Sequence, residues 1–132
     1  MSVEEEILKE SKVIAMVGLS ADSMRPSNRV AQYLKENGYT IIPVNPNEEV
    51  ILGETCYPDL SSIPGKVEVV DIFRRSEDVL PIAEEAIKIG AKAVWMQEGV
   101  INKEAEAAAL GAGLKVVMDK CMLKEHQKIS EI

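Results

Sequence analysis

Residues 12–27, which read KVIAMVGLSADSMRPS, decide the fold. The first part, Lys12–Val17, is almost continuously apolar, which is typical of a strand buried on both faces of a parallel sheet. A polar loop, Gly18–Ser27, follows it, and apolar residues then recur at helical spacing as far as Gly38. This order of strand, loop and helix predicts the first unit of an α/β domain.

The rest of the chain continues the alternation of apolar strands and amphipathic helices. Further strands are expected at Thr40–Val44, Val67–Phe73, Ala93–Met96 and Leu114–Met118, with Glu49–Leu52 as a short edge strand. A first helix is expected after a Ser2-x-x-Glu5 capping box, and another near Val79, with Ser76 as its cap. A further helix is expected after a cap at Asn102, and its inner face consists of Ala105, Ala108, Ala109 and Ala112. The last helix is expected from Lys120 to Ile129. The pattern predicts a parallel sheet with right-handed crossovers.

The amino-acid composition of the chain limits the kinds of partner that it is expected to bind. The chain has 132 residues, 46% of them apolar, and a net charge of −7, which suits one domain (residues 1–132) and argues against a broad nucleic-acid surface. No apolar run approaches the ~18–20 residues of a membrane span, and the N-terminus lacks the features of a signal peptide. Cys56 and Cys121 have no metal-ligand spacing. We therefore expect a cytoplasmic protein that binds neither nucleic acid, membrane nor metal.

The first loop is the strongest candidate for a binding site. Ligands of open parallel sheets bind at the carboxyl ends of the strands, and Gly18–Ser27 leaves the first strand and enters a helix. It contains one glycine, three serines and one arginine, a set that suits phosphate at a helix N-terminus. Pro26 has no N–H to leave unpaired there. A plain surface loop with a helix cap is the alternative.

The arginines gather at the same predicted edge. Arg25 and Arg29 lie in or just after the first loop, and Arg74 and Arg75 follow the third long strand. Arginine suits bidentate phosphate contacts better than lysine, so this placement favours a multiply charged anion. Pairing with surface carboxylates is the alternative for Arg29 and Arg75.

Three other features near strand ends each allow two interpretations. Asn45-Pro46 stands where a nicotinamide-binding domain usually has an acidic residue, and the chain lacks a G-x-G-x-x-G loop, which disfavours a dehydrogenase. The dipeptide is then either a simple turn or a ligand contact. Phe73 either stacks on a base or belongs to the core, and Cys121 either meets a ligand thiol or is inert. With His126 as the only histidine, no catalytic constellation is visible.

In combination, these motifs resemble the small stand-alone CoA-binding proteins. The motifs are Val17-Gly18-Leu19-Ser20, Arg25-Pro26-Ser27, Pro43-Val44-Asn45-Pro46, Asp71-Ile72-Phe73-Arg74-Arg75, Trp95-Met96-Gln97-Glu98-Gly99 and Asp119-x-Cys121 with Glu125-His126. The chain is similar, over nearly its whole length, to the CoA-binding domain of the succinyl-CoA synthetase α subunit. The resemblance implies a Rossmann-like α/β fold, an open parallel sheet of about five strands with helices on both faces, and coenzyme A as the ligand.

The resemblance also assigns parts of coenzyme A to residues. It implies that the phosphates are held by Gly18, Ser20, Arg25 and Ser27. It places the adenosine end near Asn45, Pro46, Phe73 and Arg74, and the pantetheine arm near Gln97 and Gly99. The phosphorylated histidine of the synthetase lies in a separate ligase domain without a counterpart here.

We therefore expect a module that binds CoA or acyl-CoA without catalysis of its own. The alternatives are a subunit of an acyl-CoA-handling enzyme with a separate ATP-using partner, and a nucleotide-dependent oxidoreductase. A thiol-redox role, in which Cys121 forms a mixed disulfide with CoA, is a further hypothesis. An apolar helix face leaves a homodimer open.

Overall fold

Strands and helices alternate along the chain in a computed structural model that describes residues 1–130. Residues 131 and 132 of the predicted domain lie outside the described residues. The strands are β1 (Val13–Val17), β2 (Thr40–Val44), β3 (Val50–Ile51), β4 (Glu54–Thr55), β5 (Val69–Ile72), β6 (Ala93–Met96) and β7 (Lys115–Val117). The helices are α1 (Val3–Glu10), α2 (Pro26–Glu36), α3 (Val79–Lys88), α4 (Lys103–Gly111) and α5 (Met122–Ser130). Within residues 1–130, no helix combines the length and apolar content that a membrane crossing requires.

Five of the strands form one parallel sheet in the order β2-β1-β5-β6-β7. The chain moves from β1 outward to β2 and then returns to the other side of β1. The order therefore reverses between β1 and β5, and a crevice opens at the carboxyl ends of these strands. The predicted α/β, Rossmann-like sheet of five parallel strands is confirmed.

The two faces of the sheet carry separate cores. In β1, Ile14 and Met16 pack with residues of α1, α2 and α5, whereas Ala15 and Val17 pack with residues of α3 and α4. Both faces are therefore covered by helices, which explains why the strands read as continuous apolar runs rather than alternating ones.

The predicted edge strand exists but does not join the main sheet. Val50–Ile51 pairs antiparallel with Glu54–Thr55, so β3 and β4 form a separate two-stranded hairpin. Leu52 and Gly53 both have positive φ, as in the tight turns that match the twist of a hairpin. Because β4 has only two residues, its sequence carries too little pattern to be recognised.

The predicted helix starts hold in most cases. Pro26 is the first residue of α2, and the side chains of Ser2 and Asn102 accept hydrogen bonds from the N–H groups of Glu5 and Ala105. The irregular turn before α3 is a 3-10 turn at Ser76–Asp78.

Two details of the helix predictions were wrong. The Ser76 hydroxyl does not cap its own helix, because it accepts a hydrogen bond from Ile101 N (3.0 Å) and so joins two loops. Ala112 is exposed, because α4 ends at Gly111 and Ala112 no longer lies on its inner face.

Candidate functional site

A cleft of about 670 Å³ lies at the carboxyl edge of the sheet. It is bordered by the first loop and α2 on one side and by the segments that follow β5, β6 and β7 on the other. Its lining consists of Gly18, Ser20, Arg25, Pro26, Ser27, Val30, Asn45, Phe73, Arg74, Arg75, Gln97, Glu98, Val100 and Cys121. The cleft thus coincides with the reversal of strand order between β1 and β5.

Gly18 forms the floor where β1 enters the first loop. Its φ is +87°, and a Cβ built there would lie 2.3 Å from the carbonyl oxygen of Phe73. The N–H of Gly18 donates to Val44 O (2.9 Å), and Phe73 N donates to Val17 O (2.8 Å). Only glycine therefore allows the ends of β1, β2 and β5 to meet at this point.

The first loop is held in shape by its own polar groups. Ser20 N donates to the Ser27 hydroxyl oxygen (3.0 Å), and the Asn28 amide donates to Ser20 O (2.8 Å). The Ser20 hydroxyl in turn accepts from Asp22 N (3.0 Å). Both hydroxyls act as acceptors in these bonds, so their own hydrogens stay available to a ligand in the cleft.

The arginines differ in how strongly carboxylates already engage them. Arg25 lines the cleft and forms no ion pair with any of residues 1–130. Arg74 lies 3.5 Å from Asp78, whereas Arg75 donates to Asp78 through Nε at 3.1 Å. Arg29 lies outside the lining and donates to Met24 O (3.2 Å). The predicted surface pairing is thus confirmed for Arg75, whereas Arg29 bonds to a backbone carbonyl instead.

The segment after β2 reaches the cleft through Asn45. The Asn45 side chain donates to Leu19 O (3.0 Å) and accepts from Asn47 N (2.9 Å). It therefore fixes a turn, as one of the two interpretations predicted, and also ties that turn to the first loop. The ligand contact stays a prediction. Pro46 is exposed in the turn and lies outside the lining.

Phe73 belongs partly to the core and partly to the lining of the cleft. Its side chain is half-buried and packs against the core between the sheet and α1, α2 and α5. It also lines the cleft together with Gly18 and Arg74, and stacking of its ring on a base stays a prediction.

A buried polar pair lies under the opposite side of the cleft. Asp71, in the middle of the sheet, is 0% exposed, and Gln97, directly after β6, is 3% exposed. The Gln97 Nε2 donates to Asp71 Oδ1 at 2.7 Å, and Asp71 Oδ2 has no partner among the described residues. Desolvation by burial raises the pKa of Asp71 to about 7, although the hydrogen bond from Gln97 acts in the opposite direction.

The loops after β6 and β7 are clamped together. Trp95 Nε1 donates to Lys120 O (2.8 Å), and Gly99 N donates to Asp119 Oδ1 (2.7 Å). Asp119 adopts a positive φ of 61°, a conformation that aspartate tolerates better than most residues. This clamp positions the half-buried thiol of Cys121 in the wall of the cleft.

All but two of the predicted site residues line this one cleft. Pro46 and Gly99 lie beside it, although Glu98 and Val100, the neighbours of Gly99, belong to the lining. Their assignment to the binding site stays a prediction, as does that of the other residues. His126 lies outside the lining, and its Nδ1 is 2.7 Å from the Tyr33 hydroxyl, an arrangement that indicates a structural role.

Sequence reasoning missed two residues that shape the site. Asn28 holds the first loop, and Asp71 supports Gln97 from below. An acidic residue inside the apolar run Val67–Phe73 was the available signal for Asp71, since buried carboxylates are rare without a partner. Asn28 left no such signal, because a polar residue in a first helical turn is ordinary.

The comparison with known protein families decides the identity of the domain. The family described as "CoA binding domain" matches residues 12–127. The chain belongs to the CoA binding domain family. The match includes every residue of the cleft lining, from Gly18 to Cys121.

Individual relatives of this CoA-binding-domain chain fall into two groups. The chain is 40% identical over 122 residues to the uncharacterized protein YneT of Bacillus subtilis (92% of this chain, 90% of YneT). It also superimposes on a hypothetical protein from Pyrococcus horikoshii OT3 with a TM-score of 0.95 and 43% identity (98% of this chain, 93% of the other). These two proteins are similar to it over almost their full length.

The second group consists of much longer ligases. Acetate–CoA ligase [ADP-forming] II of Archaeoglobus fulgidus is 31% identical over 100 residues, which are 74% of this chain but 15% of the ligase. The predicted relationship to the CoA-binding domains of synthetases of the succinyl-CoA type is confirmed. The chain corresponds to only a small part of such an enzyme.

The residues present in the cleft fit the chemistry of coenzyme A. Gly18 leaves the backbone open to a close approach, and the N-terminus of α2 with the Ser20 and Ser27 hydroxyls supplies donors to phosphate oxygens. Arg25 and Arg74 add positive charge beside them, and Phe73 offers an aromatic face.

Proposed function

We propose that this protein binds coenzyme A or an acyl-CoA in the cleft, as a single CoA-binding domain in the cytoplasm and without catalysis of its own. The observation that carries the proposal is the charge of the cleft. A chain of net charge −7 places three of its four arginines, Arg25, Arg74 and Arg75, around one cavity at the reversal of strand order. Coenzyme A carries a diphosphate and a 3′-phosphate, which match such a set.

The arrangement of the lining supports a binding role. Arg25 has no carboxylate partner within residues 1–130, so a ligand phosphate would not have to displace one. In addition, no histidine lines the cleft, and the Ser20 and Ser27 hydroxyls bond to backbone N–H groups rather than to a general base. This arrangement offers hydrogen-bond donors but no activated nucleophile.

A second candidate function follows from the ligase relatives. Since this chain spans 15% of the Archaeoglobus ligase, a separate ATP-using partner would have to supply the remaining chemistry. Assaying acyl-CoA formation from acetate, ATP and CoA with this chain alone, and then with a purified partner, tests that alternative. Turnover by the chain alone would contradict the non-catalytic proposal.

Isothermal titration with CoA, 3′-dephospho-CoA, ADP and NAD tests the proposed ligand. We expect CoA to bind and the dephospho form to bind more weakly, because an arginine contact to the 3′-phosphate is lost. Binding of NAD or ADP in place of CoA would overturn the proposal and indicate a site for another nucleotide.

Two variants of the lining and one matched control test the location of the site. Arg25→Ala and Arg74→Ala remove arginines of the lining, whereas Arg29→Ala removes one that lies four residues from Arg25 and outside the lining. The loss of one charged contact is worth ~1.5–3 kcal/mol, or roughly a 10- to 150-fold weaker CoA affinity. Equal losses for all three variants would mean that the cleft is not the site.

A further inference from the structure

The Asp71–Gln97 pair under the cleft contains a buried carboxyl group with one unsatisfied oxygen. Asp71 lies in the central strand β5, with Met16 of β1 and Trp95 of β6 as its register neighbours, and its carboxyl is completely buried. One oxygen accepts from Gln97 and the other has no partner within residues 1–130. A buried carboxyl with an unsatisfied oxygen costs free energy, which packing alone does not explain.

The contact between the two side chains fixes the orientation of the Gln97 amide. At pH 8, above its pKa of about 7, the Asp71 carboxylate is ionised and can only accept hydrogen bonds, so the Gln97 NH₂ group must face it. The observed Nε2–Oδ1 distance of 2.7 Å agrees with a charge-assisted bond. The Gln97 side chain lines the cleft, and its amide oxygen Oε1 accepts no hydrogen bond from the described part of the chain. Oε1 is therefore the group of Gln97 that a ligand can meet.

Because Gln97 Oε1 is an acceptor, it can bind only a part of the ligand that donates a hydrogen bond. Phosphate groups at neutral pH are also acceptors, so they are unfavourable partners for Oε1. The arginines of the lining lie in the segments that follow β1 and β5, whereas Gln97 follows β6 and Cys121 follows β7. A ligand with its phosphates among the arginines would therefore extend an uncharged part past Gln97.

We propose that Asp71 is a positioning residue that holds the Gln97 amide oxygen toward the cleft, where it accepts a hydrogen bond from an amide N–H of the pantetheine arm. This proposal rests on the proposed function, since it takes coenzyme A as the ligand. It assigns to Gln97 the recognition of the uncharged arm and to the arginines the recognition of the nucleotide. The pair thus discriminates CoA from adenine nucleotides that share its phosphates.

Two ligands separate this role from a structural one. CoA contains the arm, whereas adenosine 3′,5′-bisphosphate keeps the nucleotide with its 3′-phosphate and lacks the arm. Dissociation constants for both are measured by isothermal titration at pH 8 for the wild type, Gln97→Leu, Asp71→Leu and Asp71→Asn. Asparagine retains an acceptor oxygen for Gln97, so it is the conservative control for leucine.

We expect Gln97→Leu to weaken CoA binding about tenfold, the loss of roughly one hydrogen bond. Asp71→Leu should weaken it about three- to tenfold, and Asp71→Asn should recover most of that loss. The affinity for adenosine 3′,5′-bisphosphate should change less than about twofold in every variant, because its contacts lie at the arginine side.

Each other outcome overturns one specific statement. Equal losses for both ligands would show that Asp71 and Gln97 only stabilise the fold, and unchanged CoA affinity in Gln97→Leu would remove Gln97 from the site. If Asp71→Leu does not fold, Gln97→Leu and Asp71→Asn still give the comparison. A wild type that binds neither ligand would instead contradict the proposed function itself.

Discussion

At Gly18, the end of β1 lies too close to the segment after β5 for a side chain to fit. Its missing side chain leaves room for the carbonyl of Phe73, and its positive φ turns the chain into the first loop. Gly38 also has a positive φ, of +93°, but a Cβ there would meet nothing within 4 Å. The two glycines therefore separate the effect of backbone conformation from the effect of close approach.

Replacement of Gly18 by alanine should destabilise the protein by at least ~2 kcal/mol, because backbone strain and a clash with a backbone oxygen add together. Gly38→Ala should cost only about 1 kcal/mol, for the conformation alone. Urea unfolding gives both values. Equal costs would show that the neighbourhood of Gly18 relaxes and that the close approach is not a constraint.

Asp71 makes stability depend on pH. Burial raises its pKa from the ordinary value of 3.8 to about 7, so the folded state binds this proton more tightly than the unfolded state. Its contribution to stability is therefore complete below pH 4 and is lost as pH rises through 7.

Asp71→Asn removes this titration. Between pH 4 and pH 8 the wild type should lose stability relative to the variant by on the order of a few kcal/mol, since each unit of pKa shift is worth ~1.4 kcal/mol. Urea unfolding of both proteins at several pH values measures the difference, in which titrations common to both cancel. A difference that stays constant with pH would contradict the raised pKa.

Side chains that cap helices also join some of the elements to one another. Asn102 begins α4 by accepting from Ala105 N, and its amide also donates to Ser76 O (2.9 Å), at the turn before α3. Ser2 begins α1 in the same way but with one exposed bond of 3.2 Å. A cap that also joins two elements should contribute more than a cap alone.

Asn102→Ala should therefore cost about 2 kcal/mol, at the upper end of the range for helix caps, whereas Ser2→Ala should cost ~0.5 kcal/mol. The midpoints of chemical unfolding report both. If Ser2→Ala were as costly as Asn102→Ala, the bond to Ser76 would add nothing.

On the scale of the whole molecule, ligand binding and folding are linked. The cleft contains residues that follow β1, β2, β5, β6 and β7, so it exists only in the folded state. A ligand that binds only this state stabilises it by mass action.

CoA at 100 times its dissociation constant should stabilise the protein by about 2.7 kcal/mol and raise Tm by roughly 10 °C. ADP at the same concentration should raise it less, because it lacks both the 3′-phosphate and the arm. Differential scanning calorimetry measures both shifts. No shift with CoA would contradict binding in this cleft.

Much of the fold could be predicted because apolar runs and caps are local signals. β2 and β6 coincide with the predicted Thr40–Val44 and Ala93–Met96, and the Asn102 cap is confirmed. The β3–β4 hairpin and the bond from Ile101 to Ser76 could not be predicted. A strand of two residues is too short to show an alternation of apolar and polar side chains. The Ser76 hydroxyl bonds to a residue 25 positions away in the chain, and the packing of the loops determines which residue that is.

The positions of the buried strands and of the helix starts follow from the amino-acid sequence, because they depend on neighbours along the chain. The same holds for the placement of the first loop and of the arginines after strand ends. The folded structure brought some of those strand ends into one cleft and placed Asp71 beneath Gln97. It also distinguished Arg25, without an ion pair among residues 1–130, from Arg75, which binds Asp78. These are contacts between distant segments, and they arise when the order of the strands brings their ends together.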